Sequence, residues 1–139
     1  MRQLFMFALS AIIAWGYYMW RSSNTLFNID RSVLPVYTLE ELKNYNSTND
    51  VRLLVINGLV FDVTSSDKYC EGGGYSKLAG HDVSVSLSRM DLGDESVNTS
   101  MAEVELTEQQ MKSVKSWEKY FIKKGYGIVG RLAQEGKAA

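Results

Sequence analysis

The chain holds one cysteine, one histidine and one proline in 139 residues. A lone cysteine forms no internal disulfide and no cysteine-based zinc site. A lone histidine supplies no pair of imidazole ligands. Acidic and basic residues nearly cancel, 16 against 15, so a nucleic-acid binder that relies on charge is disfavoured. With 22% charged residues and so little proline, the chain does not read as disordered. No internal repeat is visible. Gly72-Gly73-Gly74 is the one low-complexity tract, and it lacks the following Lys-Ser/Thr of a phosphate loop. The length fits one compact domain of about 100 residues with a remainder.

The apolar residues, 45% of the chain, are unevenly spread. The run from Leu4 to Trp20 carries no charge and is bracketed by Arg2 and Arg21. It is near the short end for a membrane-spanning helix. Trp15, Tyr17, Tyr18 and Trp20 crowd its C-terminal end, where amphipathic rings suit the membrane–water interface. Residues 1–21 are therefore expected to form an N-terminal single-pass anchor contacting lipid through residues 4–20. The rival readings are a signal peptide, cleaved or retained, and a buried helix. Residues 22–36, rich in Ser, Asn, Thr and Asp and closed by Pro35, read as a linker.

The folded domain is expected over residues 37–132, with 133–139 a tail. Thr38-Leu39-Glu40-Glu41 is a capping box that opens a short helix reaching about Tyr45. Arg52–Ile56 and Leu59–Val63 are β-rich runs joined by Asn57-Gly58, which tolerates the positive φ of a tight hairpin. A short helix is expected over Asp82–Met90, with His81 or Asp82 near its start and Asp82 favoured as the cap. Residues 91–106 read as acidic and irregular. Thr107 and Gln110 form a second capping box. Met111, Val114, Trp117 and Phe121 then share one face of a helix to about Lys124. Lys112, Lys115, Lys119 and Lys123 lie on another side, a solvated face or a docking surface for acidic partners or anionic lipid. Tyr126–Gly130 suits a final strand. This order gives an α+β domain.

Asn57-Gly58-Leu59-Val60-Phe61-Asp62-Val63-Thr64 and Ala79-Gly80-His81-Asp82-Val83-Ser84 resemble two motifs of cytochrome b5-like domains. Between them, cytochrome b5 carries a His-Pro-Gly-Gly motif whose histidine binds haem iron. Here the stretch is Tyr69-Cys70-Glu71-Gly72-Gly73-Gly74-Tyr75. Two tyrosines six apart, Asp82, Trp117, and Tyr126 followed by Val129-Gly130-Arg131-Leu132 resemble the membrane-associated progesterone receptor (MAPR) family, of the neuferricin and neudesin type. The resemblance implies an α+β, cytochrome b5-like haem/steroid-binding domain and a binding protein rather than an enzyme.

By resemblance, Tyr75 is the metal ligand, binding ferric b-type haem that is five-coordinate. Tyr69 would hydrogen-bond near the haem, and Tyr126 would contact a propionate from another wall. Some relatives place a lysine directly before that tyrosine, on a propionate. Here Gly125 holds that position, so Lys124 would serve with the loop re-registered. The chemistry is coherent. A phenolate is a hard anion suited to ferric iron. A free phenol ionises near pH ~10, so the iron must draw its proton off and affinity should fall in acid. Three glycines would let the backbone approach a flat macrocycle. The single His81, in a slot near the pocket rim, and Cys70 are weak alternatives as iron ligands or as a nucleophilic pair.

The resemblance further implies haem handling or modulation of cytochrome P450 enzymes of sterol metabolism at endomembranes, with the endoplasmic reticulum favoured. Steroid is a weaker ligand expectation, and an exposed haem face would allow a homodimer. The alternatives are a secreted or tethered interaction module and a b5-type electron carrier, the latter disfavoured by the missing second histidine. Two glycosylation sequons, at Asn46 and Asn98, matter only for a lumenal or extracellular domain.

Overall fold

The computed structural model describes residues 11–18 and 30–133. The chain divides into two units, Met1–Asp30 and Arg31–Ala139. In the first, residues 11–18 form helix α1, and Ile12, Ile13, Trp15, Tyr17 and Tyr18 are exposed. The expected anchor over 1–21 lies mostly outside the described residues. Among those described, no helix is long and apolar enough to cross a membrane. Residues 134–139 of the expected tail also lie outside.

The second unit begins before the expected domain start. Residues 31–36, which read as linker, form a 3-10 turn at Arg31–Val33 and enter strand β1 (Val36–Tyr37). Arg31 reaches forward to the carbonyl of Asn57 and to Glu118 Oε1 at 2.7 Å. Helix α2 (Leu39–Leu42) follows. Only half of its expected capping box is present, the Thr38 hydroxyl accepting from the Glu41 N–H at 3.1 Å. A 3-10 turn carries the chain on to Tyr45.

Strands β2 (Leu53–Ile56) and β3 (Leu59–Asp62) pair antiparallel across Asn57-Gly58. Both turn residues take positive φ, 52° and 77°, the conformation that a right-twisted two-residue hairpin requires. Strand β4 (Gly127–Leu132) pairs antiparallel with β3, with a register shift at Val60/Phe61. It pairs parallel with β1. The sheet order is β1-β4-β3-β2. Every residue of β2 is buried, so both faces of the sheet are covered at that strand, whereas β4 is mostly half-buried. Leu42, Val55 and Val60 form a core cluster with Tyr37 and Val129. Elsewhere in the core, Phe61 meets Phe121 at a centroid distance of 5.5 Å.

Helix α3 (Ser84–Arg89) follows a segment that runs beside β2. Gly80 N–H donates to Leu53 O, and Val83 N–H to Val55 O. The expected Asp82 cap is not what forms: the N-cap of α3 is Val83, with no side-chain cap bond, and Asp82, one residue earlier, serves as a tie between segments. Its Oδ1 accepts from the Ser84 N–H and hydroxyl at 3.1 and 2.7 Å. Its Oδ2 accepts from the Ser100 hydroxyl and the Met101 N–H, both at 3.1 Å. The buried carboxylate thus ties α3 to the segment after it. That segment, expected to be irregular, contains helix α4 (Asp94–Val97) and a 3-10 turn at Met101–Glu103.

Helix α5 (Glu108–Lys124) carries the full Thr107/Gln110 capping box and ends at Gly125 in the left-handed conformation, φ 86°. Of its expected apolar face, Val114 and Phe121 are buried and Met111 and Trp117 half-buried. Lys112, Lys115, Lys119 and Lys123 are exposed.

Candidate functional site

An open cleft of about 600 Å³ is lined by the loop after β3, by α3 and by α5. That is within the usual size range of small-molecule sites. Tyr69, Tyr75, Lys124 and Tyr126, singled out in the sequence, all line it.

Local backbone chemistry sets the loop. The Ser66 hydroxyl caps a 3-10 turn at Asp67–Tyr69. The chain doubles back so that the Tyr75 N–H donates to Lys68 O at 2.8 Å. Gly73 makes this return possible, because a Cβ there would collide with the carbonyl oxygens of Asp67 and Lys68. Nothing lies within 4 Å of a Cβ built on Gly74. The close approach expected between the glycine run and a macrocycle is, at Gly73, an approach of the loop to itself.

The two loop tyrosines differ in setting. Tyr69 is 6% exposed and Tyr75 is 43% exposed. Their rings lie 6.1 Å apart at 32°. Tyr69 also contacts Phe121 at 6.4 Å, and Phe121 lies 5.1 Å from Tyr126. Burial, then the neighbouring phenols of Tyr126, Tyr75 and Tyr120, push the Tyr69 hydroxyl far above the ordinary tyrosine range. Tyr69 therefore stays neutral across the ordinary pH range. Tyr75 is the more exposed of the two loop tyrosines that line the cleft.

Trp117, Tyr120 and Phe121 supply the α5 wall, and Leu87, Met90 and Leu92 the wall around α3. Met90 ends α3 with φ 53°, and the residue is 76% exposed. Lys124 is the last residue of α5, and Gly125 turns the chain into Tyr126.

Sequence reasoning missed Lys68, Met90, Leu92 and Tyr120. Tyr120 stands beside Phe121 and three residues after Trp117, so a wider apolar arc on α5 would have found it. Lys68 carries no local signal beyond adjacency to Tyr69.

His81 does not line this cleft. It is half-buried in a separate recess with Leu39, Lys43 and Glu103. Burial and then the Lys43 ammonium lower its basicity. This corrects its expected place near the rim. The Cys70 thiol donates to Asp67 O at 2.9 Å, and no contact joins it to His81 among the described residues. No cluster of three or more His, Cys, Asp or Glu residues suited to a metal occurs among the described residues.

Comparison with known proteins agrees with this architecture. The profile of the cytochrome b5-like heme/steroid binding domain matches residues 38–130. Membrane-associated progesterone receptor component 2 of Homo sapiens is 38% identical over 104 residues, covering 73% of this chain and 46% of that one. The chain thus spans about half the length of that relative. The cytochrome P450 regulator dap1 of Schizosaccharomyces pombe is 38% identical over 112 residues, covering 74% of this chain and 67% of that one. A solved Arabidopsis thaliana protein with a cytochrome b5-like fold superposes with a TM-score of 0.61 at 32% identity, covering 76% of this chain and 97% of that one. With the sheet, the tyrosine-lined cleft and these relatives in place, the chain belongs to the cytochrome b5-like heme/steroid-binding domain family, in its MAPR group.

Proposed function

We propose that this chain is a non-enzymatic haem-binding protein in which Tyr75 would supply the oxygen that holds the iron. One observation carries the reading. Both loop tyrosines line a mainly apolar cleft, but Tyr75 is the exposed one, while Tyr69 is buried and held neutral. Aromatic rings on several sides suit a flat conjugated ligand. A phenol is the kind of donor that ferric iron takes in place of histidine.

Bound haem supplies a ferric Lewis-acid centre of low reduction potential. The protein's part is to present the Tyr75 oxygen and to release its proton. Tyr69, kept neutral, would donate a hydrogen bond near that oxygen. Tyr126 and Lys124 hold the acidic edge of the ligand. Trp117 and Phe121 exclude water from its faces.

The role that follows is haem handling or modulation of cytochrome P450 enzymes of sterol metabolism. One relative's description as a cytochrome P450 regulator supports it. The place of action is an endomembrane, with residues 4–20 as the anchor. A steroid is the second ligand reading. It is favoured by the apolar walls combined with several phenol hydroxyls at one cleft.

The test is titration of the full-length protein, in detergent, with ferric haem. A high-spin spectrum with a phenolate-to-iron charge-transfer band, lost in Tyr75→Phe, is expected. Unchanged binding and spectrum in that variant overturn the ligand assignment. Carbonate extraction tests the anchor, and release into the supernatant overturns it.

A further inference from the structure

We propose that Lys68 makes the cleft selective for apolar ligands bearing a carboxylate or sulfate over neutral ligands of the same shape. The proposal rests on the cleft being the binding site and deepens the haem reading by adding a residue that sets specificity.

Among the residues that line the cleft, Lys68 and Lys124 are the only charged ones, and no Asp or Glu accompanies them. The cleft therefore carries positive charge without an internal counter-charge, although the whole chain is close to neutral. Both lysines are exposed, and neither forms an ion pair among the described residues. The contrast with Lys77 is informative. It belongs to the same loop but is paired with Asp94 at 3.1 Å, and it does not line the cleft.

The two cleft lysines are not equivalent. Lys124 closes α5, where the terminal carbonyls already present partial negative charge to it. Lys68 sits in a 3-10 turn with no long helix end to moderate it. Its backbone is fixed to the proposed ligand residue, because Lys68 O accepts the Tyr75 N–H at 2.8 Å. Gly73 packed against the same carbonyl leaves that link little room to move. The ammonium of Lys68 and the phenol of Tyr75 thus spring from one rigid loop. An ammonium beside apolar walls suits a ligand with a greasy body and an acid at one edge. A neutral ligand of the same body gains the walls and leaves the charge unanswered.

The experiment uses two ligand pairs that differ only in charge, on full-length wild-type, Lys68→Gln and Lys68→Glu proteins. The pairs are ferric haem against its dimethyl ester, and a sterol sulfate against the parent sterol. Wild type should bind each acid more tightly than its neutral partner. Lys68→Gln should weaken acid binding about three- to tenfold, and Lys68→Glu more, with the neutral partners unchanged. The preference should shrink as salt rises from about 0.1 M to about 1 M, where the screening length falls from ~10 Å to ~3 Å. Circular dichroism of each variant checks that the fold is retained.

If Lys68→Gln leaves the acid-to-neutral ratio as in wild type, the proposal is overturned, whether affinities stay the same or fall together. Haem binding with the Tyr75 band would survive that result. Conversely, a chain that ignores haem but prefers sterol sulfate, and loses that preference in Lys68→Gln, sinks the haem reading and keeps the selectivity. A wild type that binds no member of either pair overturns both.

Discussion

The rings of Tyr69 and Tyr126 meet edge to face, with centroids 6.2 Å apart and planes at 85°. Together with the Phe121 contact, this makes Tyr69 a core residue as well as a wall of the cleft. Tyr69→Ala is expected to cost about 3–5 kcal/mol of stability, as for other buried aromatic truncations. Tyr69→Phe should cost about 1 kcal/mol or less. Denaturant unfolding of both variants checks this, and equal losses would count against it.

The raised ionisation of Tyr69 has a pH signature. Below pH ~10 its phenol is neutral in both the folded and the unfolded chain. As pH climbs past that value the unfolded phenol ionises while the folded one resists. Folding stability should therefore decline from about pH 10 upward. Denaturation midpoints between about pH 9 and pH 11 should fall less steeply in Tyr69→Phe than in wild type.

Gly73 and Gly74 offer a paired test of the loop. A Cβ on Gly73 collides with two carbonyl oxygens, whereas one on Gly74 meets open space. Gly73→Ala should displace the Tyr75 segment and weaken ligand binding by about tenfold or more, on the order of the ~1.4 kcal/mol per decade. Gly74→Ala should bind as wild type does. Equal behaviour in ligand titration would show that the close approach does not set the site.

Asp82 accepts from four donors. Asp82→Ala leaves the Ser84 and Met101 amides without that partner and should destabilise the fold by about 2–4 kcal/mol. Asp82→Asn retains one acceptor oxygen and should lose less. Thermal unfolding of the pair gives the order.

Truncation probes the early start of the domain. A chain beginning at Arg31 keeps β1, the Arg31–Glu118 ion pair and the bonds from Arg131 N–H to Pro35 O and from Ala133 N–H to Tyr37 O. A chain beginning at Thr38 loses all of these. The longer form should melt well above the shorter one, with a stability difference of about 2 kcal/mol or more. Matching melting curves would mean that residues 31–37 contribute nothing to the fold.

Local chemistry explains which elements could be read from the residues. Asn57-Gly58 and the Thr107/Gln110 box specify their own backbone geometry within four residues, and both formed as expected. β1 is two residues long, and only a partner nearly a hundred positions away gives it structure. It leaves no periodic trace. α4 and the turn at Met101–Glu103 are likewise short. The Ser100 and Met101 contacts to Asp82, remote in sequence, help to hold the turn. The cleft tyrosines were legible through family pattern rather than periodicity, since a lone tyrosine is more often simple packing. The glycine run was legible as a close approach, but the surface it approaches is set by tertiary structure. Lys68 was invisible because an exposed lysine next to an aspartate looks like any solvated turn.

Phe121 faces two ways. It touches Phe61 in the core at 5.5 Å and also lines the cleft. The deep end of the cleft therefore shares its atoms with the part of the molecule least tolerant of change in volume. The outer positions carry no such double duty: Lys68, Met90, Leu92 and Lys124 are exposed. Diversification of ligand preference by point substitution is consequently channelled to these outer positions, while the inner wall is kept uniform by the demands of folding. Engineering a new specificity onto this scaffold should begin there.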